Sequence, residues 1–254
     1  MTALRVVETH ADLLDATGAD PFIRYDIPDP LELPGWSSAQ AVAVPRRTHT
    51  RRLSLLVMGP ASEAGALVGR LVADGLLPQV GGVTVSRGAL DSVMQHLPPG
   101  EGNDWEWMHA VSPPPVIPAE ALLVSLSPNT IHEIGALLAL ANPGTDARPF
   151  EYPGQQWVGV RDDDGRLVAC GVREPNLAGW PILAGITVHP DHRGSGLGLA
   201  VTAYLTREAV HERGVCTLGL YSHNAVARRL YRGLGYGGTH AWSSRRLAGA
   251  HGRA

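Results

Sequence analysis

Residues 186–198 combine the residue types and the spacing of an anion-binding turn. The run reads ITVHPDHRGSGLG: an apolar strand predicted to end at Val188, a turn through Pro190 and Asp191, and glycines that lead into a helical pattern. Backbone N–H groups converge where a strand turns into a helix, and the helix dipole favours negative charge there. Glycines let the backbone approach a phosphate closely because no Cβ intervenes. The segment is therefore predicted to hold a phosphate group.

Two common phosphate-binding patterns do not fit this turn. A P-loop requires a Lys directly after its last Gly, and no Lys follows these glycines. The dinucleotide-binding fingerprint requires the spacing G-x-G-x-x-G, whereas the third Gly of residues 194–198 comes too early. A third pattern, R-x-x-G-x-G, matches at Arg193, Gly196 and Gly198. A tight strand-to-helix turn in some other α/β protein is the alternative interpretation.

A second pattern follows after one predicted helix and one short strand-like run. Residues 224–236 read NAVARRLYRGLGY. Asn224 is a good helix N-cap, and Tyr231 lies on the apolar face of the predicted helix. Gly235 stands where a helix end favours a residue with positive φ. The two patterns therefore occur in a fixed order within one α/β segment.

These two patterns resemble the signatures of the GNAT superfamily of acyl-CoA N-acetyltransferases, over about residues 120–247. The first resembles the loop that holds the CoA pyrophosphate, and the second resembles N-x-x-A-x-x-x-Y-x-x-x-G-[FY]. The resemblance implies an α/β fold with a mixed, mostly antiparallel central sheet flanked by helices. It also implies an enzyme that moves an acetyl or short acyl group from acetyl-CoA to a primary amine by direct attack. The acceptor, a small molecule or a peptide, stays open.

The resemblance also assigns roles to individual residues. In the family the strand before the Gly-rich loop is splayed, so its free backbone groups bind the pantetheine arm and the thioester oxygen. Tyr231 matches the Tyr that serves many relatives as general acid, with a buried core residue as the alternative. Asn224 matches a residue that bonds the pantetheine chain, with a plain helix cap as the alternative. The implied CoA-binding residues are Ile186, Val188, Arg193, Gly194, Ser195, Gly196, Leu197, Gly198 and Asn224.

The general base is where the sequence departs from the family pattern. Many relatives carry a Glu on the strand before the Gly-rich loop, but residues 180–188 contain no carboxylate. The base then lies elsewhere, acts through water, or is not needed. Glu174, Glu151 and His189 are the available groups, and Glu174, at the end of the preceding strand, is the predicted choice. The missing carboxylate keeps an alternative open, a non-catalytic module that senses acyl-CoA.

Composition limits the other function classes. The chain has 254 residues and a net charge of −3, so no general attraction to nucleic acid or to an anionic membrane is expected. His189, Asp191 and His192 share one loop without a distant ligand pair, so no metal site is expected. Cys170 and Cys216 are predicted to be free thiols in a cytoplasmic protein without a signal peptide. Every basic residue other than His is Arg, which suggests a bacterial genome rich in G and C. A homodimer is left open.

The elements that must position these residues divide into two predicted domains. Residues 1–115 are predicted to be a degenerate acetyltransferase-like lobe that does not bind CoA, and residues 116–254 the acetyltransferase domain. Predicted strands of the second domain cover 121–126, 156–161, 166–174, a strand ending at 188 and a pair within 237–247. Its predicted helices cover about 127–142 and 196–213, and 248–254 are predicted to be a frayed tail. The first lobe is predicted to contain strands at 40–44, 53–58, 83–85 and 105–111, and helices at 62–74 and 88–97.

Overall fold

The computed structural model describes residues 3–98 and 100–248, so the predicted tail lies almost wholly outside the described residues. The strands are β1 Arg5–Val7, β2 Gly35–Ser37, β3 Val42–Arg47, β4 Leu53–Met58, β5 Gly82–Ser86, β6 Gly102–Ala110, β7 Leu123–Ser125, β8 Gln156–Arg161, β9 Leu167–Pro175, β10 Pro181–Val188, β11 Cys216–Tyr221 and β12 Gly237–Arg246. The helices are α1 His10–Ala16, α2 Pro21–Asp26, α3 Ala61–Ala73, α4 Leu90–Met94, α5 Ile131–Ala141, α6 Leu197–Arg213 and α7 Ala225–Gly233.

The chain forms two compact units, and three of the four divisions between them along the chain fall within strands β6, β11 and β12. The first lies within Met1–Trp107, Tyr221–His223 and Thr239–Ala254, and the second comprises Met108–Leu220 and Asn224–Gly238. The predicted division after residue 115, and the proposed kinship of the first lobe to an acetyltransferase, stay predictions.

The first unit contains a sheet in the order β1-β2-β3-β4-β5-β12, in which β4 and β5 are parallel. The helix α3 covers one face of this sheet, because Leu67, Val68 and Leu71 pack with the apolar side chains of β4 and β5. Phe22 of α2 packs edge-on against Trp107, with ring centroids 5.4 Å apart. The predicted strand 53–58 is confirmed by β4, whereas residues 3–37 form elements that the sequence patterns did not predict.

The second unit contains a sheet in the order β11-β10-β9-β8-β7. Its pairs are antiparallel except for β10 with β11, which are parallel. The helix α6 packs on one face through Val201 and Leu205, and α5 packs on the other through Ile134 and Leu138. The predicted mixed, mostly antiparallel sheet flanked by helices is therefore confirmed.

Two predicted elements differ from the structure. The strand pair predicted within 237–247 is wrong, because β12 is one strand that pairs with β5 from Trp242 to Arg246. Residues 239–246 contain no Gly, Pro, Asn or Asp that would favour a turn. The strand predicted at 121–126 is only three residues long, since a 3₁₀ turn occupies Pro118–Leu122. No helix within the described residues has both the length and the apolar character needed to cross a membrane.

Candidate functional site

The strands β10 and β11 separate after a short paired start. Their described parallel ladder joins Ile182 to Thr217 and Leu183 to Leu218. Pairing between β10 and β9 continues as far as Val188 with Ala169. The end of β10 is therefore held on one side and open toward β11, which confirms the splay expected from the resemblance. The open side carries the backbone groups that a pantetheine arm would need.

A β-bulge lies inside the splayed part of β10. The register against β9 shifts between Ala184 and Thr187, and Gly185 has a φ of 61°. Leu183 packs in the core under α6, and Ile186 packs against that same core instead of facing the other way. The extra residue thus reverses the alternation of side chains and sets the orientation of the peptide groups after it. An isolated Gly in a strand pattern is a signal that could have indicated this bulge, but no bulge was predicted from the sequence.

The Gly-rich turn forms an open cradle at the start of α6. Gly194 and Gly196 have φ values of 81° and 82°, and Gly196 is the N-cap of α6. No side chain caps α6, and its first turn contains no acidic residue, so its first N–H groups are left without intrahelical partners. A Cβ at Gly194 or Gly196 would meet no atom within 4 Å. These glycines are therefore required by backbone conformation and by the open space of an anion site, not by close packing.

The side chains around the cradle point to other partners. The Arg193 guanidinium donates to the carbonyls of Val188 and Ala141, at 3.4 and 3.3 Å, and the Ser195 hydroxyl donates to the His192 carbonyl. Leu197 is buried in the core. The cradle is therefore lined mainly by backbone, and Arg193 ties the end of β10 to α5.

Gly198 allows α6 to begin close to the end of β10. A Cβ at Gly198 would lie 3.4 Å from Cγ2 of Val188. The third glycine thus holds the helix start against the splayed strand.

Tyr231 lies on α7 with its ring in the core of the second unit. It is 8% exposed, and its ring centroid is 5.8 Å from that of Tyr236. Burial raises the pKa of Tyr231 to about 12, so the phenol is protonated at neutral pH and can act as a donor. Tyr236 donates to Sγ of Cys216 at 3.1 Å. The geometry is compatible with an acid role for Tyr231 and with a packing role.

Asn224 caps α7, as its sequence position predicts. Its Oδ1 accepts the backbone N–H of Ala227 at 3.0 Å. This bond occupies the side-chain oxygen and leaves the amide group as the donor that a pantetheine carbonyl would require.

The three candidate bases differ in setting. Glu174 is 2% exposed, pairs with Ile182 of β10, and accepts a hydrogen bond from Nε2 of Gln155. Glu151 is exposed in the loop before β8. His189 accepts the backbone N–H of Asp191 through Nδ1 at 3.3 Å. Glu174 therefore places a carboxylate on the strand beside β10, although β10 itself has none.

A cleft of 230 Å³ lies at the other end of β10 from the cradle. Its charged and polar lining comprises Gln156, Arg173, Glu174, Glu212 and Arg213. Only Glu174 of this set was a candidate from the sequence, because the lining combines β8, β9 and the end of α6, which are distant along the chain.

The two cysteines are buried, and the described residues form no metal-binding cluster. Cys170 and Cys216 are buried free thiols, as predicted, and burial raises the pKa of each to about 12. Within 3–98 and 100–248, no group of three His, Cys, Asp or Glu side chains is arranged to hold a metal ion.

Comparison with known proteins identifies the domain that carries this site. Residues 134–236 match the family model described as the acetyltransferase (GNAT) family. That range contains β8 to β11, the cradle and α7. No curated protein matches the chain in sequence.

Solved structures share the fold over nearly the whole chain. A GCN5-related N-acetyltransferase from Sphaerobacter thermophilus is 19% identical with a TM-score of 0.55, covering 96% of this chain and 95% of that one. One from Kribbella flavida is 18% identical with a TM-score of 0.53, covering 95% of each chain. An acetyltransferase of the GNAT family from Colwellia psychrerythraea is 14% identical with a TM-score of 0.53, covering 96% and 99%.

Proposed function

Because residues 134–236 form a GNAT acetyltransferase domain, whose co-substrate is acetyl-CoA, we propose that this chain acetylates a primary amine by direct attack on the thioester. The observation that carries the proposal is the combination of the open cradle at Gly194 and Gly196 with the splay between β10 and β11. One feature suits a pyrophosphate and the other an extended pantetheine arm, and the two are joined by residues 189–193. In this proposal CoA binds along β10, with its pyrophosphate at the cradle and its pantetheine arm beside the strand.

The CoA moiety is held mainly by backbone groups in this proposal. The pyrophosphate lies against the N–H groups of residues 194–198 and the start of α6. Ile186 and Val188 offer peptide groups to the pantetheine arm and to the thioester oxygen. The bulge at Gly185 aims these peptide groups. Arg193 holds the turn in place through its two carbonyl partners. The side-chain amide of Asn224, between β11 and α7, donates to the pantetheine chain.

The transfer step makes one bond and breaks one. The neutral amine nitrogen attacks the thioester carbon, and the developing negative charge on the oxygen is stabilised by backbone N–H donors. The C–S bond then breaks, and Tyr231 supplies the proton to the CoA thiolate. No acyl-enzyme is needed, since both cysteines are buried and protonated.

We assign the general base to Glu174, which takes the one proton that the amine nitrogen loses on forming the amide, directly or through water. The support is positional, because Glu174 pairs with Ile182, two residues before the bulge begins. Neighbouring strands are about 4.8 Å apart, so a carboxylate on β9 can serve the same region as one on β10. The role of Glu174 is therefore that of the strand carboxylate that β10 lacks.

The assignment is tested by measuring thiol release from acetyl-CoA with a panel of primary amines across pH. We expect Glu174→Gln to lower kcat by about 10²- to 10⁴-fold, the usual worth of a general base. Glu151→Gln, an exposed control, should leave kcat unchanged. Full activity of Glu174→Gln would reject Glu174 as the general base. CoA binding without any acetylated amine would favour an acyl-CoA sensor.

A further inference from the structure

The helix α7 borders the cradle through Leu230. A Cβ at Gly198 would lie 3.9 Å from Cδ1 of Leu230, so α7 packs against the start of α6 at the third glycine. Consecutive Cα atoms are about 3.8 Å apart and a leucine side chain is about 4 Å long, so the Cα of Arg229 is within about 12 Å of that Cβ position. Arg229 therefore stands at the edge of the anion site, and its long side chain covers much of that distance.

The surface of α7 between Leu230 and Arg229 is open. Successive side chains on a helix are about 100° apart, so Val226 and Gly233 lie between these two residues, while Arg232 faces about 160° away from Leu230. Val226 is 79% exposed, and a Cβ at Gly233 would meet no atom within 4 Å. A ligand at the cradle can therefore extend over this surface to Arg229, whereas Arg232 points away from it.

Arg229 is not engaged by other side chains. It is exposed, and it forms no hydrogen bond or ion pair with any residue of 3–98 or 100–248. The helix α7 contains no acidic residue. The carboxylate of the Gly-rich turn, that of Asp191, lies 3.7 Å from Nδ1 of His189. The guanidinium of Arg229 is therefore available to an anion.

The arginine of the Gly-rich turn is already occupied. Arg193 donates to the carbonyls of Val188 and Ala141, so the backbone of the cradle, rather than this guanidinium, is left to hold a pyrophosphate. A further phosphate on the same ligand needs a cation from another element. Arg229 of α7 suits this task, because a guanidinium pairs with two phosphate oxygens at once.

CoA carries such a further phosphate. It is a monoester on C3′ of the ribose, on the other side of the pyrophosphate from the pantetheine arm, and it has close to two negative charges at pH 7. With the pantetheine arm in the splay, the ribose lies outside the splay, on the exposed side of the cradle that α7 borders.

We propose that Arg229 binds the 3′-phosphate of CoA, so that the protein prefers CoA to dephospho-CoA, which lacks only that phosphate. This inference rests on the proposed binding of CoA at the cradle. The backbone of the cradle holds the pyrophosphate of either nucleotide, and Arg229 distinguishes the two.

Binding can be measured without an acceptor amine. Calorimetry would compare CoA with dephospho-CoA on the unaltered protein and on variants of α7. We expect CoA to bind about fivefold more tightly than dephospho-CoA, since the pair is charge-assisted but open to solvent. Arg229→Gln should remove this preference and leave the affinity for dephospho-CoA unchanged. Arg229→Lys should retain part of the preference, because Lys keeps the charge but not the paired donors.

Arg232→Gln is the matched control. It removes the same charge from an exposed position of the same helix and should keep the preference for CoA. Thermal unfolding of both Gln variants checks that the fold is unchanged. Equal loss of the preference in Arg229→Gln and Arg232→Gln would show a long-range effect of charge and overturn the contact. Equal affinity of the unaltered protein for CoA and dephospho-CoA would overturn it as well.

Turnover separates this inference from the proposed function. A preference for CoA that depends on Arg229, without any acetylated amine, would uphold the site and reject the acetyl transfer. Acetylation with equal kcat/KM for acetyl-CoA and acetyl-dephospho-CoA would uphold the transfer and reject the site. Failure of both nucleotides to bind would reject both.

Discussion

Replacing Gly196 by Asp or by Asn isolates the electrostatic part of CoA binding. The two side chains have nearly the same shape, and both tolerate the left-handed backbone that Gly196 adopts at a φ of 82°. A Cβ there meets no atom within 4 Å, so neither variant creates a clash. They differ in one negative charge placed beside the first N–H groups of α6.

The size of the effect follows from the geometry of the cradle. A carboxylate about 6 Å from a pyrophosphate charge is repelled by about 2.8 kcal/mol at an effective dielectric constant of about 20. The cradle is exposed and salt screens it, so we expect about half of this to remain. That corresponds to CoA binding about tenfold weaker for Asp than for Asn. Backbone strain of about 1 kcal/mol is common to both variants.

Calorimetric titration measures the CoA affinity of each variant, and urea unfolding measures its stability. We expect the Asp variant to be at least as stable as the Asn variant, because a negative charge at a helix N-terminus is favourable. The result to look for is weaker CoA binding without lower stability. Equal CoA affinity of the two variants would refute the placement of the pyrophosphate at this turn.

Three further results are expected. Gly185→Ala should lower the free energy of unfolding by about 1–3 kcal/mol and should also lower kcat, because its Cβ would lie 3.0 Å from Ala147. Gly179→Ala is the control, since Gly179 has a similar φ of 78° but open space around it, and it should lower both quantities less. Equal losses in the two variants would argue against a role for the bulge. Tyr231→Phe should lower kcat by about 10- to 10⁴-fold with unchanged CoA affinity, and full turnover with rate-limiting chemistry would leave Tyr231 a packing residue. Because burial raises the pKa of Cys170, Cys216 and Tyr231 to about 12, the folded state holds these protons more tightly than the unfolded state. Unfolding free energy should therefore fall between about pH 9 and 12, and a flat profile would contradict that burial.

Sequence patterns predicted those features that depend on neighbours along the chain. The helix start after Gly196, the helix end at Gly214 and the cap at Asn224 are local, and the structure confirms them. The strands β4 and β8 also match their predicted bounds. Each of these follows from periodicity or from a residue suited to a special backbone angle.

The features that the sequence did not predict depend on contacts between distant segments. The bulge at Gly185 needs the register of β9 against β10, and the pairing of Glu174 with Ile182 follows from the same register. Arg213 and Trp180 are 33 positions apart in the chain, and only the end of α6 brings them together. The single strand β12 was missed because its pairing with β5 joins residues about 160 positions apart, and a local pattern carries no such information.

The measurement that tests the central claim most directly is identification of the product. Acetyl-CoA with a labelled acetyl group would be incubated with the protein and with a panel of small primary amines and short peptides, followed by mass spectrometry. We expect at least one amine to gain a single labelled acetyl group, with an equal amount of CoA thiol released and with saturation in both substrates. Tight, saturable CoA binding through the cradle without any acetylated amine would contradict the claim and leave the chain an acyl-CoA-binding module.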